Sequence, residues 1–166
     1  RSATSAVTVG SGLAPVIVAA ASAMPQTVLG RTTTVRALAQ DDAPETTLTY
    51  RWRAMGPGAV TFLSNDTNGA KQTVATFERP GAYALTVTVA DAQGLQAEST
   101  VSVQVDAVLT AVEVTPAVVT VTALGQQPFT ATALDQFGLA IPGTMAMAWQ
   151  VNGGGAIDAA GVFTAR

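Results

Sequence analysis

Four carboxylates fall in two of the segments that connect strand-like stretches, and their chemistry suits a hard cation. Asp41, Asp42 and Glu45 lie before one such stretch, and Asp91 lies in the turn between two others. If both connections emerge at the same end of a β-sandwich, their oxygens can gather around Ca²⁺, which takes about six to eight oxygen ligands. The alternative is turn chemistry, because aspartate side chains accept hydrogen bonds from nearby backbone N–H groups. Both interpretations stay open.

Catalytic chemistry has little support in this composition. The chain contains no cysteine and no histidine, which excludes Cys/His zinc sites, thiol nucleophiles and Ser-His-Asp triads. The loop acids could serve as the paired carboxylates of a glycoside hydrolase, but no stretch supplies the walls of a substrate cleft. We therefore predict no catalytic residue, no enzyme activity and no cofactor apart from calcium.

Charge is sparse and scattered along the chain. Charged residues make up 11% of the sequence, the net charge is −3, and Lys71 is the one lysine. Nucleic-acid binding needs clustered cations, and no cluster is present. The longest apolar run, residues 13–21, is too short to span a bilayer and contains Pro15. We predict no nucleic-acid partner, no membrane insertion and, from the high Thr and low Lys content, a secreted or cell-surface location.

The elements that must position these residues are strands. Apolar and polar residues alternate over short stretches bounded by Gly, Pro, Asn and Asp, whereas helical periodicity is nowhere sustained. In the clearest pair, Tyr83, Leu85, Val87 and Val89 share one face, and Gly94 supplies the turn. Strands are predicted at residues 6–9, 16–20, 33–39, 47–53, 60–63, 72–77, 81–90, 96–105, 109–115, 118–123, 127–133, 145–151 and 162–165.

Residues 13–106 resemble a known module. Residues 48–52 (LTYRW), then residues 80–91 (PGAYALTVTVAD) and the following Gly94-Leu95, are similar to polycystic-kidney-disease-like and related immunoglobulin-like modules. The resemblance implies an antiparallel β-sandwich over residues 11–106. It also implies that Leu85 stands where disulfide-bearing relatives have their second cysteine, so that Tyr83 forms a tyrosine-corner hydrogen bond.

A second resemblance covers residues 107–166. Residues 112–116 (VEVTP), 129–138 (FTATALDQFG), 149–155 (WQVNGGG) and the final residues 157–165 resemble a bacterial immunoglobulin-like module of the group-2 type. Such modules continue with two more strands, so this one is expected to lack its last strands. Residues 1–10 resemble the closing strand of a preceding or neighbouring module. Either the chain is a window from a longer array, or one copy's first strand completes the sandwich of another copy.

Three aromatic residues are predicted to be structural. Trp52 and Trp149 each lie on a middle strand, where a sandwich core places a tryptophan, and Tyr83 pins the start of its strand. The alternative for the tryptophans is an aromatic platform for sugar. Residues 65–67 match a glycosylation sequon but are interpreted as a turn. Lys71 is a poor candidate for an isopeptide cross-link because it lies beside a polar turn.

These observations predict an all-β chain of tandem immunoglobulin-like antiparallel β-sandwiches. The function expected of it is that of a non-catalytic spacer in a multidomain surface or secreted bacterial protein, including the role of a building block in a fibre or repeat array. Its expected partners are neighbouring immunoglobulin-like modules of the same or an adjacent chain. The alternative is an adhesion or carbohydrate-binding accessory module of a secreted enzyme, with a carbohydrate or a surface protein as its partner.

Overall fold

The computed structural model describes residues 12–143 and 146–166. The chain divides into two compact units, Arg1–Asp106 (unit 1) and Ala107–Arg166 (unit 2). The expected terminal strand at residues 1–10 lies outside the described residues. Among those described, no helix is long and apolar enough to cross a membrane.

Unit 1 is formed by two four-stranded sheets. One has the order β1-β3-β6-β5 and the other β2-β8-β7-β4; all neighbours are antiparallel except β2 and β8. This division matches the two sheets of an immunoglobulin-like sandwich, and short 3-10 turns lie at Glu45–Thr47 and Asn68–Lys71. The strands are β1 (Val16–Met24), β2 (Thr27–Val28), β3 (Thr32–Gln40), β4 (Thr49–Met55), β5 (Val60–Phe62), β6 (Gln72–Phe77), β7 (Gly81–Ala90) and β8 (Gln96–Val105).

The core of unit 1 follows from the alternation in its strands. Every second residue of β7 from Tyr83 to Val89 is buried, and the residues between them are half-buried. A period of two places one apolar face of each strand against the other sheet. The largest fully buried side chains come from both sheets and their connections: Trp52, Tyr50, Phe77, Leu48, Leu85, Val28, Val35, Val87, Val89, Val103 and Val105.

The first described strand of unit 1 begins at one end of the sandwich, and the last strand finishes at the other end. At one end, Val16 at the start of β1 pairs with Gln40 at the end of β3. At the other end, Val105 closes β8 opposite Gly81. The ten residues of β8 separate the two ends, which corresponds to about 30 Å at the rise of an extended strand.

Unit 2 contains shorter strands and a smaller core. β9 (Leu109–Thr115) pairs with β11 (Thr130–Asp135), while β10 (Gln126–Pro128), β13 (Val162–Ala165) and β12 (Gly155–Ile157) form a three-stranded sheet. All seven residues of β9 are exposed. The buried hydrophobic residues in the described part of this unit are two alanines, Ala133 and Ala165.

Two strand predictions in unit 2 are wrong over the residues that the structure describes. Residues 118–123 and 146–151 are not strands. Their sequences have the composition of strands, but a strand requires a hydrogen-bonded neighbour. No described segment pairs with either stretch. Local composition therefore placed two strands where the described part of the chain has none.

Candidate functional site

The acidic loops lie together at the end of unit 1 where β1 begins. Asp41 follows β3, and Asp91 follows β7. The backbone N–H of Leu13 donates to Oδ2 of Asp42 at 3.3 Å. A Cβ built on the adjacent Gly12 would lie 3.4 Å from Cδ of Gln93. Residues 12 and 13 are therefore flanked by both loops, as the topology of the strands requires.

Asp91 opens a tight turn that occurs three times in the described residues. Oδ1 of Asp91 accepts the backbone N–H groups of Gln93 and Leu95 at 2.9 and 2.8 Å. Asp135 and Asp158 accept equivalent bonds from the second and fourth residues that follow them. Each turn ends on a glycine with positive φ, which is available to glycine at little cost. The glycines are Gly94, Gly138 and Gly161.

Turn chemistry leaves three buried carboxylate oxygens unexplained. Oδ2 of Asp91, and both Oδ1 and Oδ2 of Asp41, are buried without a hydrogen-bond partner. Asp91 as a residue is 8% exposed. Asp42 is exposed and bonds to Leu13. No group of three or more Asp, Glu, His or Cys side chains in the described parts of the chain is arranged to hold a metal ion.

Glu45 does not join the other acids but forms a separate polar cluster. Its Oε1 accepts from the Tyr50 hydroxyl at 3.2 Å and from Nδ2 of Asn68 at 3.1 Å. Its Oε2 lies 3.0 Å from Nζ of Lys71. Burial raises the pKa of Glu45, but these three donors outweigh it and hold the pKa below its ordinary value.

Lys71 also lies near the Asn68 side chain, with 3.3 Å between Nζ and Oδ1. No pattern in the sequence predicts that Asn68, Lys71 and Glu45 meet, because the contact depends on the loop that brings residue 45 to the Asn68–Lys71 turn. Lys71 therefore contributes an ion pair to Glu45 and a hydrogen bond to the amide oxygen of Asn68 within this cluster. The cluster is consistent with a structural role.

Tyr50 connects the two sheets of unit 1 through its hydroxyl. It lies on β4 and is fully buried, and its Oη accepts the backbone N–H of Ala39 on β3 at 3.0 Å. The same hydroxyl donates to Glu45. Burial raises the pKa of Tyr50, and the neighbouring carboxylate adds to that shift. The phenol therefore stays protonated, and its hydroxyl connects β4 of one sheet to β3 of the other.

Trp52 is held by three hydrogen bonds and is 2% exposed. Its Nε1 donates to the carbonyl of Ala70 at 2.8 Å. Its backbone N–H and C=O bond to the side-chain amide of Asn65 at 2.7 and 3.0 Å. A ring buried in this way offers no face to a sugar. Asn65, the first residue of the sequon, uses its side chain to cover the edge of β4.

Tyr83 forms the hydrogen bond of a tyrosine corner. Its hydroxyl donates to the carbonyl of Arg79 at 2.9 Å. Its ring contacts Phe77, with 4.8 Å between the ring centroids. It also packs so closely on Gly56 that a Cβ there would overlap the ring. Burial raises the pKa of Tyr83, which keeps the hydroxyl protonated as a donor.

Trp149 was expected in the core of unit 2, but it is only half-buried. It lines an apolar groove of about 650 Å³. The physical reason is that no described strand covers this side of the unit, so side chains that face inward still meet solvent. The groove is lined by Val114, Val121, Phe129, Trp149, Ile157 and Phe163, among others, and Arg166 is its charged residue.

Three depressions on unit 1 have no Asp or Glu among the residues that line them. One is lined by Gln26, Met55, Tyr83 and Gln104 among others. The other two lie around Ser22 and Arg36, and Lys71 borders one of them. Paired acids of the kind used in glycoside hydrolysis are not found in these depressions.

Comparison with known proteins bears on unit 1. Residues 24–105 match the family described as the K319L-like PKD domain. This match supports the resemblance of residues 13–106 to polycystic-kidney-disease-like modules. The group-2 resemblance of residues 107–166 has no such match and stays a prediction.

Other comparisons add little. No curated protein matches the chain. Among solved structures, the crystal structure of murine CEACAM1b is similar at 16% sequence identity, covering 88% of this chain and 83% of that chain, with a TM-score of 0.33. A likeness at that level does not bear on function. The immunoglobulin-like fold of unit 1 rests on its own strand order.

Proposed function

We propose that the chain is a non-catalytic structural module of a secreted or cell-surface protein and acts as a spacer within a longer array. The observation that carries the proposal is where the first and last strands of unit 1 lie. The first, β1, begins beside Gln40, and the last, β8, finishes at Val105, at the opposite end of the sandwich. A module of this kind adds about 30 Å to an array, the length of its longest strands.

The side chains of unit 1 support the same proposal. Tyr50, Trp52, Asn65 and Tyr83 could each take part in recognition or chemistry, yet all of them bond to backbone groups of the unit. The match of residues 24–105 to a PKD domain family agrees with a module that lacks catalysis. Function is argued from such sites, since the fold by itself supports many activities.

The spacer proposal is tested by surface display. A fluorescent reporter is joined to a cell-surface anchor through increasing numbers of copies of the full chain. We expect the access of a bulky antibody to the reporter to rise with copy number. Equal access at all copy numbers would contradict the proposal.

A glycan array with the same chain tests the accessory-module alternative. A spacer gives no hits. Specific binding that is lost in Trp149→Ala would support carbohydrate recognition through the groove of unit 2 and would replace the spacer proposal. Asn152→Ala, at an exposed position near that groove, is the matched control.

Assembly is a second candidate function, favoured by the open core of unit 2. The groove is apolar and β9 is exposed along its whole length. On the side away from β11, β9 has no strand partner in the described residues. An exposed edge beside an apolar groove is a site for strand addition. We propose residues 2–9 of a second copy as the occupant. In an extended strand, the alternation of this sequence would place Val7 and Val9 on one face.

Sedimentation velocity over a range of concentrations tests this assembly. The native chain is expected to associate as concentration rises. Val7→Asp (donor) and Val114→Asp (acceptor) should each remain monomeric, and a mixture of the two should form pairs. Thr8→Asp, on the opposite face of the donor, should behave as the native chain. A native chain that stays monomeric at all concentrations would rule out strand exchange.

A further inference from the structure

We propose that the acidic end of unit 1 is a calcium site in which Asp41 and Asp91 provide carboxylate oxygens. The site lies among residues 12–13, the loop that begins at Asp41 and the loop that begins at Asp91. It is independent of the spacer role, since a module can act as a spacer with or without a bound ion.

Unpartnered oxygens carry this proposal. Oδ2 of Asp91 and both carboxylate oxygens of Asp41 are buried without a hydrogen-bond partner. A carboxylate removed from water without a donor or a counter-charge is destabilising. The ion pairs in the described parts of the chain are Arg51–Asp66 and Lys71–Glu45, so neither supplies a cation to this end. A bound cation would compensate these oxygens.

The repeated turn provides an internal comparison. Asp91, Asp135 and Asp158 use Oδ1 in the same way to accept two backbone N–H groups. Of the three, only Asp91 has a second oxygen that is buried and unpartnered. The turn therefore accounts for Oδ1 of Asp91 and leaves Oδ2 free for another ligand.

The fold brings the two aspartates to one end of the sandwich. Asp41 continues β3 and Asp91 continues β7, and Leu13 and Gly12 lie against the two loops. Asp42 is exposed at the rim, where one of its oxygens accepts the Leu13 N–H. Backbone carbonyls and water complete the oxygen shell in our proposal, as they do in many calcium sites.

The ligand chemistry selects calcium over other ions. All available groups are hard oxygens, and the chain has no cysteine or histidine for softer metals. Oxygen ligands from separate loops suit the variable geometry of Ca²⁺ better than the strict octahedron of Mg²⁺. The arrangement falls short of three clustered carboxylates. We therefore expect weak binding, with a Kd of about 10⁻⁴–10⁻³ M, as in extracellular modules.

Thermal unfolding of the full chain tests the site. Trp149→Phe is introduced so that the fluorescence of Trp52 reports on unit 1. We expect the Tm to rise by about 5 °C between chelator and a calcium concentration near ten times the Kd. Magnesium and sodium chloride at matched ionic strength should produce less than half of that shift. An equal shift with magnesium, or none with calcium, would overturn the proposal.

Variants separate the site from the turn. Asp91→Asn retains an Oδ1 acceptor for the turn and neutralises the unpartnered oxygen, and Asp41→Asn neutralises the other ligand. Both should lose the calcium shift. Asp158→Asn changes the aspartate of the equivalent turn in unit 2 and should keep the calcium shift. Calorimetric titration of the native chain should give one calcium per chain, and a titration without heat of binding would refute the site even if a variant fails to fold.

Discussion

The side-chain amide of Asn65 pairs with the backbone of Trp52 as a neighbouring strand would. Oδ1 accepts the Trp52 N–H at 2.7 Å, and Nδ2 donates to the Trp52 carbonyl at 3.0 Å. The backbone N–H of Tyr50, two residues earlier on β4, donates to the carbonyl of Thr67 at 3.1 Å. The loop thus occupies hydrogen-bonding groups on the outer edge of β4, which would otherwise be open to another chain.

Asn65→Ala is therefore expected to destabilise unit 1 by about 2 kcal/mol, because two hydrogen bonds to partly buried backbone groups are lost. Urea unfolding followed by Trp52 fluorescence, in a Trp149→Phe background, measures the change. Asn152→Ala replaces an exposed asparagine in unit 2 and should leave this transition unchanged. A cost below about 0.5 kcal/mol for Asn65→Ala would show that water replaces the amide without loss.

The two tyrosines should respond differently to removal of the hydroxyl. Tyr50→Phe leaves the buried N–H of Ala39 without an acceptor, so we expect a loss of about 2 kcal/mol in the free energy of unfolding. Tyr83→Phe frees the carbonyl of Arg79, an exposed residue that water can reach, and should cost about 1 kcal/mol. Chemical denaturation of both variants measures the difference, and equal costs would argue against a cross-sheet role for Tyr50.

Glu45 is expected to make the stability of unit 1 depend on pH. The pKa of Glu45 is lower in the folded state than its ordinary value, so the folded state binds fewer protons at this site than the unfolded state does. The stabilisation is present above the unfolded-state pKa and is lost as pH falls through the folded-state pKa. Urea midpoints across the acidic range should therefore fall less steeply for Glu45→Gln than for the native chain. Parallel curves would contradict this assignment.

The glycines of the three repeated turns provide a graded test. Gly94 and Gly138 have positive φ and open space around a built Cβ, so alanine should cost about 1 kcal/mol from backbone strain alone. At Gly161 a Cβ would also lie 2.7 Å from the carbonyl of Phe129 and 2.9 Å from the Trp149 ring. Gly161→Ala should destabilise unit 2 more than Gly138→Ala does. Equal midpoints in denaturant would show that the groove adapts without cost.

The strands of unit 1 could be predicted because each has a clear alternation. β6 was predicted at its observed bounds, as were β7 and β8. The prediction missed the two-residue strand β2, which is too short to show a period and is formed by its parallel pairing with β8. In unit 2 the stretch at residues 118–123 failed for the opposite reason, since it has the composition of a strand without a partner.

The candidate site was only partly accessible to sequence. Asp41, Asp42 and Asp91 could be placed at one end of a sandwich, but Glu45 was grouped with them. In the structure Glu45 belongs to Lys71, Asn68 and Tyr50. Nothing in the linear spacing distinguishes the two outcomes, because the direction of a loop side chain depends on which turn packs beside it.

The sequence by itself determined the all-β class, the alternation that buries one face of each long strand, and the lack of thiol or imidazole chemistry. These properties depend on residue type and on a period of two, and both are local. Only the tertiary structure decided that Asn65 covers the edge of Trp52's strand, that Asp91 keeps an unpartnered oxygen, and that Trp149 lines an open groove. Those outcomes depend on contacts between residues far apart in the chain, where packing and hydrogen-bond geometry select among side-chain positions that the sequence leaves equally open.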